Sequence, residues 1–249
     1  MVEKRKSYHK VLEEIEDLCK KNPFSNHIIS VYVAGSVARG DFVPGRSDID
    51  IYAVVQERDE DVEGLFEEEL ERLEDEYLEE IKKIEPLEVT FTDIEEVKKG
   101  DSFLGTGFEY HNFMNSAYVL YGEDIRDEIP QPTKDEERES AQRFLDAMEE
   151  RSEYIPKRFT RKLFSSVFRT LSVFLCGRGI YVSSKEKVVE EFQRISDLKE
   201  LNESLEEVYA LWETWAERDL TEDEFCGLYK NYQEIMSSLS ELREMEVDE

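Results

Sequence analysis

The sequence predicts an α/β (α+β) fold in two parts, a small sheet with flanking helices over residues 1–130 and an all-helical bundle over residues 131–249. Three observations carry this. Up to residue 130, short blocks rich in β-branched and aromatic residues alternate with amphipathic helical stretches. Pro130-Gln131-Pro132 then reads as a linker. Beyond it, apolar residues recur at helical spacing alone.

Each element has its own signal. Residues 4–21 place Val11, Leu12, Ile15 and Leu18 on one helical face, and Asn22-Pro23 ends that helix. His27–Val33 reads as a first strand. Ala34–Ser47 holds three glycines and a proline, so it is a loop with room for one short helical turn. Asp48–Val55 is a second strand. Residues 59–84 form a long acidic helix with an apolar stripe, which Pro86 closes before a third strand, Leu87–Phe91. Thr92 with Glu95 makes a capping-box pattern. Phe108–Phe113 is an aromatic stretch in which His111 reads as a packed loop residue, and Ala117–Tyr121 is a shorter fourth strand. After the linker, Thr133 with Glu136 caps a helix over 134–153. Further helices fall near 157–178, 184–195, 197–217 and 221–245, with caps at Ser183/Glu186 and Thr221/Glu224. Phe164, Phe168, Leu171 and Leu175 repeat at helical spacing as core.

Composition limits the partners. With 61 acids against 32 bases, the net charge is −29, which repels polyanions and weighs against nucleic acid. ATP would need metal ions or local positive charge to bind, whereas a cationic small substrate would be attracted. The plainer reading of most of this charge is a solvated surface that serves solubility. Cys19, Cys176 and Cys226 are far apart and odd in number, so they predict core packing rather than a disulfide or metal site. MVEKRKSYHK lacks the apolar run of a secretory leader, and no apolar stretch is long enough to span a membrane, so the expected compartment is the cytoplasm. Oligomeric state is left open.

The segment Val31–Val55 concentrates the chemistry. Gly35-Ser36 follows a strand directly, where a glycine allows close backbone approach and Ser36 with nearby N–H groups can hold phosphate oxygens. Asp48 and Asp50 alternate onto one strand face while Ile49 and Ile51 enter the core. Two carboxylates so close repel unless a cation lies between them, and hard divalent cations such as magnesium prefer oxygen ligands. Glu88 begins the next strand on the same face as Thr90. On a neighbouring strand it would reach the aspartates, and three carboxylates can hold two metals or combine metal binding with a general base. Arg39 and Arg46 flank the motif, where they either offset phosphate charge or pair with nearby acids. Lys185 falls in the first turn of a capped helix, where backbone N–H groups favour phosphate. Trp212 and Trp215 share a helix face, as core or as an aromatic wall for adenine or acceptor.

Gly35-Ser36, eleven residues, Asp48-x-Asp50 and a third acid on a later strand resemble the DNA polymerase β-type nucleotidyltransferase superfamily, with Ala38, Arg39-Gly40 and Ser47 also matching. Within it the chain is most similar to bacterial aminoglycoside adenylyltransferases acting on streptomycin and spectinomycin. Pro86–Thr90 resembles the strand carrying that family's catalytic glutamate. Leu120–Asp124 resembles the stretch closing its first domain, and Arg169–Lys185 its helix, turn and ATP-contacting lysine. The resemblance implies a nucleotidyltransferase domain with a small mixed sheet over 1–130, and a helical substrate- and nucleotide-binding domain over 131–249. It implies two magnesium ions held by Asp48, Asp50 and Glu88, ATP as co-substrate, and Glu88 as base toward an acceptor hydroxyl. Triphosphate contacts fall to Gly35, Ser36, Arg46 and Lys185. The expected acceptor is small and cationic, such as an aminoglycoside, bound between the domains. The alternatives are modification of a protein, as in toxin–antitoxin pairs, nucleotide addition to RNA, or a non-catalytic nucleotide-binding module. The acid excess disfavours RNA. His9, His27 and His111 all precede residue 130, so the second part has no histidine for an RNase motif.

Overall fold

A computed structural model describes residues 2–78, 87–100, 107–150, 157, 160–196 and 198–247. The chain divides into two compact units, one of residues 1–105 and 109–133, the other of 106–108 and 134–249.

The first unit is built on a four-stranded mixed sheet among the described residues, with strands β1 (Ile28–Ala34), β2 (Ile49–Val55), β3 (Leu87–Asp93) and β4 (Tyr118–Gly122) in the order β3-β2-β1-β4. β1 is antiparallel to β2 and β4, whereas β2 and β3 run parallel. Period-two alternation divides the side chains. Val31, Val33, Ile49, Ile51 and Val55 point to one face, where α1 (Val2–Cys19) and α4 (Glu60–Tyr77) bury Val11, Ile15, Phe66 and Leu70 against them. Tyr32, Ala34 and Val54 point to the other, under α5 (Ile94–Lys99) and α6 (Gly107–Ser116). Two short helices, α2 (Phe24–His27) and α3 (Gly35–Arg39), bracket β1.

Several boundaries differ from those the sequence predicts. The acidic helix is described to Tyr77, and Pro86 lies outside the described residues. β3 continues to Asp93, so the capping box belongs to Asp93 and Glu96 rather than to Thr92 and Glu95. The expected loop around His111 is α6, a helix selected by packing: Tyr110 and Phe113 are buried against the sheet. Asp124 fixes the end of that layer. Its carboxylate accepts from Arg126 and from the Tyr32 hydroxyl at 3.2 Å, while Arg126 Nη1 donates to the Ala117 carbonyl at 3.1 Å just beyond α6. Gly122 has φ +82°, and a Cβ there would lie 1.9 Å from the Ile29 carbonyl oxygen, so β4 can end beside β1 only as glycine.

The second unit contains α7 (Lys134–Glu150), α8 (Thr160–Cys176), α9 (Lys185–Ile195), α10 (Lys199–Glu217) and α11 (Glu222–Val247). Its core gathers Leu163, Phe164, Phe168, Leu171, Phe192, Leu205, Leu228 and Ile235. The Thr221/Glu224 capping box forms as the sequence predicts, with Glu224 N–H on Thr221 Oγ1 at 3.2 Å and Thr221 N–H on the Glu224 carboxylate at 2.7 Å. The cap of α9 is Ser184 rather than Ser183. Cys19 and Cys176 are buried, but Cys226 is exposed, because the buried face of α11 runs through Phe225, Leu228 and Tyr232 instead. No helix of the described residues is long and apolar enough to cross a membrane.

Candidate active site

Asp48, Asp50 and Glu88 converge, and each offers a carboxylate oxygen within 4.8 Å of the others. The sheet explains why. Ile49 and Ile51 are fully buried, which turns Asp50 to the opposite face. Asp50 pairs in register with Ala34 of β1 on one side and Glu88 of β3 on the other. Asp48 directly precedes β2. The two aspartates are half-buried and Glu88 is exposed. Three carboxylates in this space repel one another, and an oxygen-only cluster of this size suits a hard divalent cation.

Gly35 opens α3 directly after β1, with φ +64°. A Cβ at this position would lie 1.7 Å from Asp50 Oδ2. The glycine of the motif therefore makes room for the aspartate of the motif, in addition to supplying the left-handed turn. Ser36 follows in the first turn of α3, half-buried.

The loop between α3 and Asp48 is held from α1. The Tyr8 hydroxyl donates to the Ser47 carbonyl at 2.5 Å and accepts from the Gly45 N–H at 3.3 Å. The Tyr8 and Phe42 rings pack with centroids 4.8 Å apart. Ser47 Oγ accepts from the Val43 N–H at 2.9 Å, and the N–H groups of Arg46 and Ser47 both donate to the Val43 carbonyl. Arg46 is thus part of a tight turn and half-buried. Arg39 takes the acid-paired alternative: its Nε lies 3.3 Å from the Asp41 carboxylate, and its Nη1 donates to Asn112 Oδ1 of α6 at 3.2 Å.

The remaining candidates are placed within their own units. His111 is on α6, edge-on to the Tyr110 ring at 5.2 Å. Lys185 belongs to the second unit as the first residue of α9, with its ammonium 5.1 Å from the Trp212 ring and 5.7 Å from that of Phe168. Trp215 is core against Phe164, whereas Trp212 is partly buried and carries that lysine on its ring. Neither the role of the Tyr8 hydroxyl nor the helicity of α6 is legible in the sequence. The only signal for Tyr8 is an aromatic one helical turn before Leu12 and two before Ile15, which announces burial but not the use of its hydroxyl.

Residues 12–110 match the family model described as a nucleotidyltransferase domain. Among solved structures, the chain is similar to spectinomycin adenyltransferase AAD(9) from Enterococcus faecialis, crystallised with ATP and spectinomycin. The two are 15% identical with a TM-score of 0.59, over 96% of this chain and 99% of that one. At that identity the likeness shows a shared fold. No curated protein sequence matches the chain.

Proposed function

We propose that this chain, whose residues 12–110 match a nucleotidyltransferase domain, is an enzyme of the polymerase β type that moves AMP from ATP to a hydroxyl of a small cationic acceptor and releases pyrophosphate. The observation that carries the reading is the convergence of Asp48, Asp50 and Glu88 beside the Gly35-Ser36 turn.

The residues fit a magnesium site, since all three donors are hard carboxylate oxygens close enough to share an ion. Bound there, two magnesium ions would neutralise the triphosphate and clamp the attacking and leaving oxygens. Asp48 and Asp50, both half-buried, serve as ligands. Glu88 is the exposed member, so it can meet an acceptor as well as a metal. It takes the acceptor's hydroxyl proton as the new O–Pα bond forms and the bond to pyrophosphate breaks. Ser36 and the backbone at Gly35 contact the triphosphate, with Arg46 and Lys185 as further cationic contacts.

The net charge of −29 draws a polycationic acceptor such as an aminoglycoside and repels nucleic acid. A role in antibiotic modification follows from that acceptor class, and the cytoplasm is the compartment that supplies ATP. The test is pyrophosphate release from Mg-ATP with spectinomycin, streptomycin or kanamycin, with Glu88→Ala as control. Turnover with one acceptor, lost in Glu88→Ala, supports the reading. Pyrophosphate release that survives Glu88→Ala removes the base assignment, and silence with all three acceptors removes the aminoglycoside class.

A further inference from the structure

We propose that Tyr8 is a positioning residue for the carboxylate site, acting through the loop that delivers Asp48. The proposal rests on the metal-site reading of Asp48, Asp50 and Glu88. Asp48 is held by no strand, since β2 begins at Ile49. The turn that precedes it delivers its backbone to the strand. That turn closes on itself through the Val43 carbonyl, which accepts from both Arg46 and Ser47 N–H. Such a closure fixes the turn's shape but not its place.

Tyr8 supplies the place. It sits on the buried face of α1, 1% exposed, where a phenylalanine would satisfy packing alone. A buried hydroxyl is costly unless it is bonded. Here it is bonded on both sides, accepting from Gly45 and donating to Ser47. The Ser47 carbonyl belongs to the peptide unit that joins Ser47 to Asp48. Because that unit is planar, fixing its oxygen fixes the entry of the Asp48 backbone. A metal site requires its ligands within about 0.5 Å of their working positions, so this one hydroxyl acts on metal affinity from α1.

The experiment is manganese binding followed by electron paramagnetic resonance, in the presence of a non-hydrolysable ATP analogue. It compares the unaltered protein with Tyr8→Phe, Ser47→Ala and Tyr32→Phe. Tyr8→Phe keeps the ring against Phe42 and is expected to weaken manganese about fivefold, the loss of roughly one hydrogen bond. Ser47→Ala loosens the same turn without touching Tyr8 and is expected to shift affinity in the same direction. It decides the matter if Tyr8→Phe does not fold. Tyr32→Phe removes another buried hydroxyl, the acceptor of the Ile125 N–H at 2.7 Å. It is expected to lower the melting temperature and leave manganese affinity within about twofold. Unchanged affinity in folded Tyr8→Phe, or in Ser47→Ala where only that variant folds, overturns the positioning role while leaving the metal site standing. Equal weakening in Tyr32→Phe overturns it as well, because it shows a general effect of stability. Absence of binding in the unaltered protein overturns the metal reading and this proposal with it.

Discussion

Helix α4 and the carboxylate cluster use the same residue types to opposite ends. On α4, Glu60, Asp61, Glu67, Glu68, Glu71, Asp75 and Glu76 are exposed to water, while Phe66, Leu70 and Leu73 hold the helix to the sheet. Water and salt screen those charges from one another. Asp48, Asp50 and Glu88 instead place their oxygens within 4.8 Å, and the two aspartates are half-buried. Acid content alone therefore says little about chemistry. What separates the regions is that sheet register forces the three carboxylates together, whereas a helix surface lets its acids spread.

The contrast is broken most sharply by exchanging the sites of mutation. Glu88→Ala is expected to lower turnover by about two to four orders of magnitude, and Glu67→Ala to leave it unchanged, both measured by pyrophosphate release. Comparable losses would mean that the acids act through bulk charge. Gly35→Ala comes next. Its Cβ would collide with Asp50 Oδ2 in a left-handed backbone, so a loss of about 1–3 kcal/mol in stability and about a hundredfold in turnover is expected. A variant with normal melting and normal rates would show that Asp50 can move aside freely.

A smaller effect concerns Asp124, which Arg126 above all holds down to about 2. The unfolded chain binds this proton nearer pH 4. Between those values the unfolded state carries more protons, so stability rises with pH across the window and is lost as pH falls through it. Acid denaturation of Asp124→Asn should accordingly show a shallower slope between pH 4 and 2. The smallest effect returns to α4. Glu67 and Glu71 are like charges one turn apart, so Glu67→Gln is expected to stabilise by about 0.2–0.5 kcal/mol at low salt. High salt should erase the gain, and a loss of stability would mean that Glu67 has a partner.

The motif was legible because each part has a local physical signature. Ile49 and Ile51 had to enter a core, which set Asp48 and Asp50 on the other side, and the Gly35 turn could be read from one residue. Adjacency was not legible. Nothing in Leu87–Asp93 states that this strand lies parallel to β2 with Glu88 opposite Asp50. Helix α6 is not legible because Phe, Tyr, His and Asn are weak helix formers, and its helicity comes from burial of Tyr110 and Phe113. The shift of the cap from Thr92 to Asp93 has a similar cause. Thr92 is buried within β3 and donates its hydroxyl to Glu96, which leaves Asp93 to open α5.

The parallel pairing of β2 with β3 also has a kinetic side. Residues 50 and 88 meet only after the chain has passed through α4, and among the described residues β3 is an edge strand paired with β2 alone. A partly folded chain without that strand owns two carboxylates of the three. A cation held by all three would bind only the completed sheet, so it would favour the native ensemble by mass action and slow detachment of the edge. Amide exchange along Leu87–Asp93 would then record occupancy of the site from the far side of the strand, without any reaction taking place.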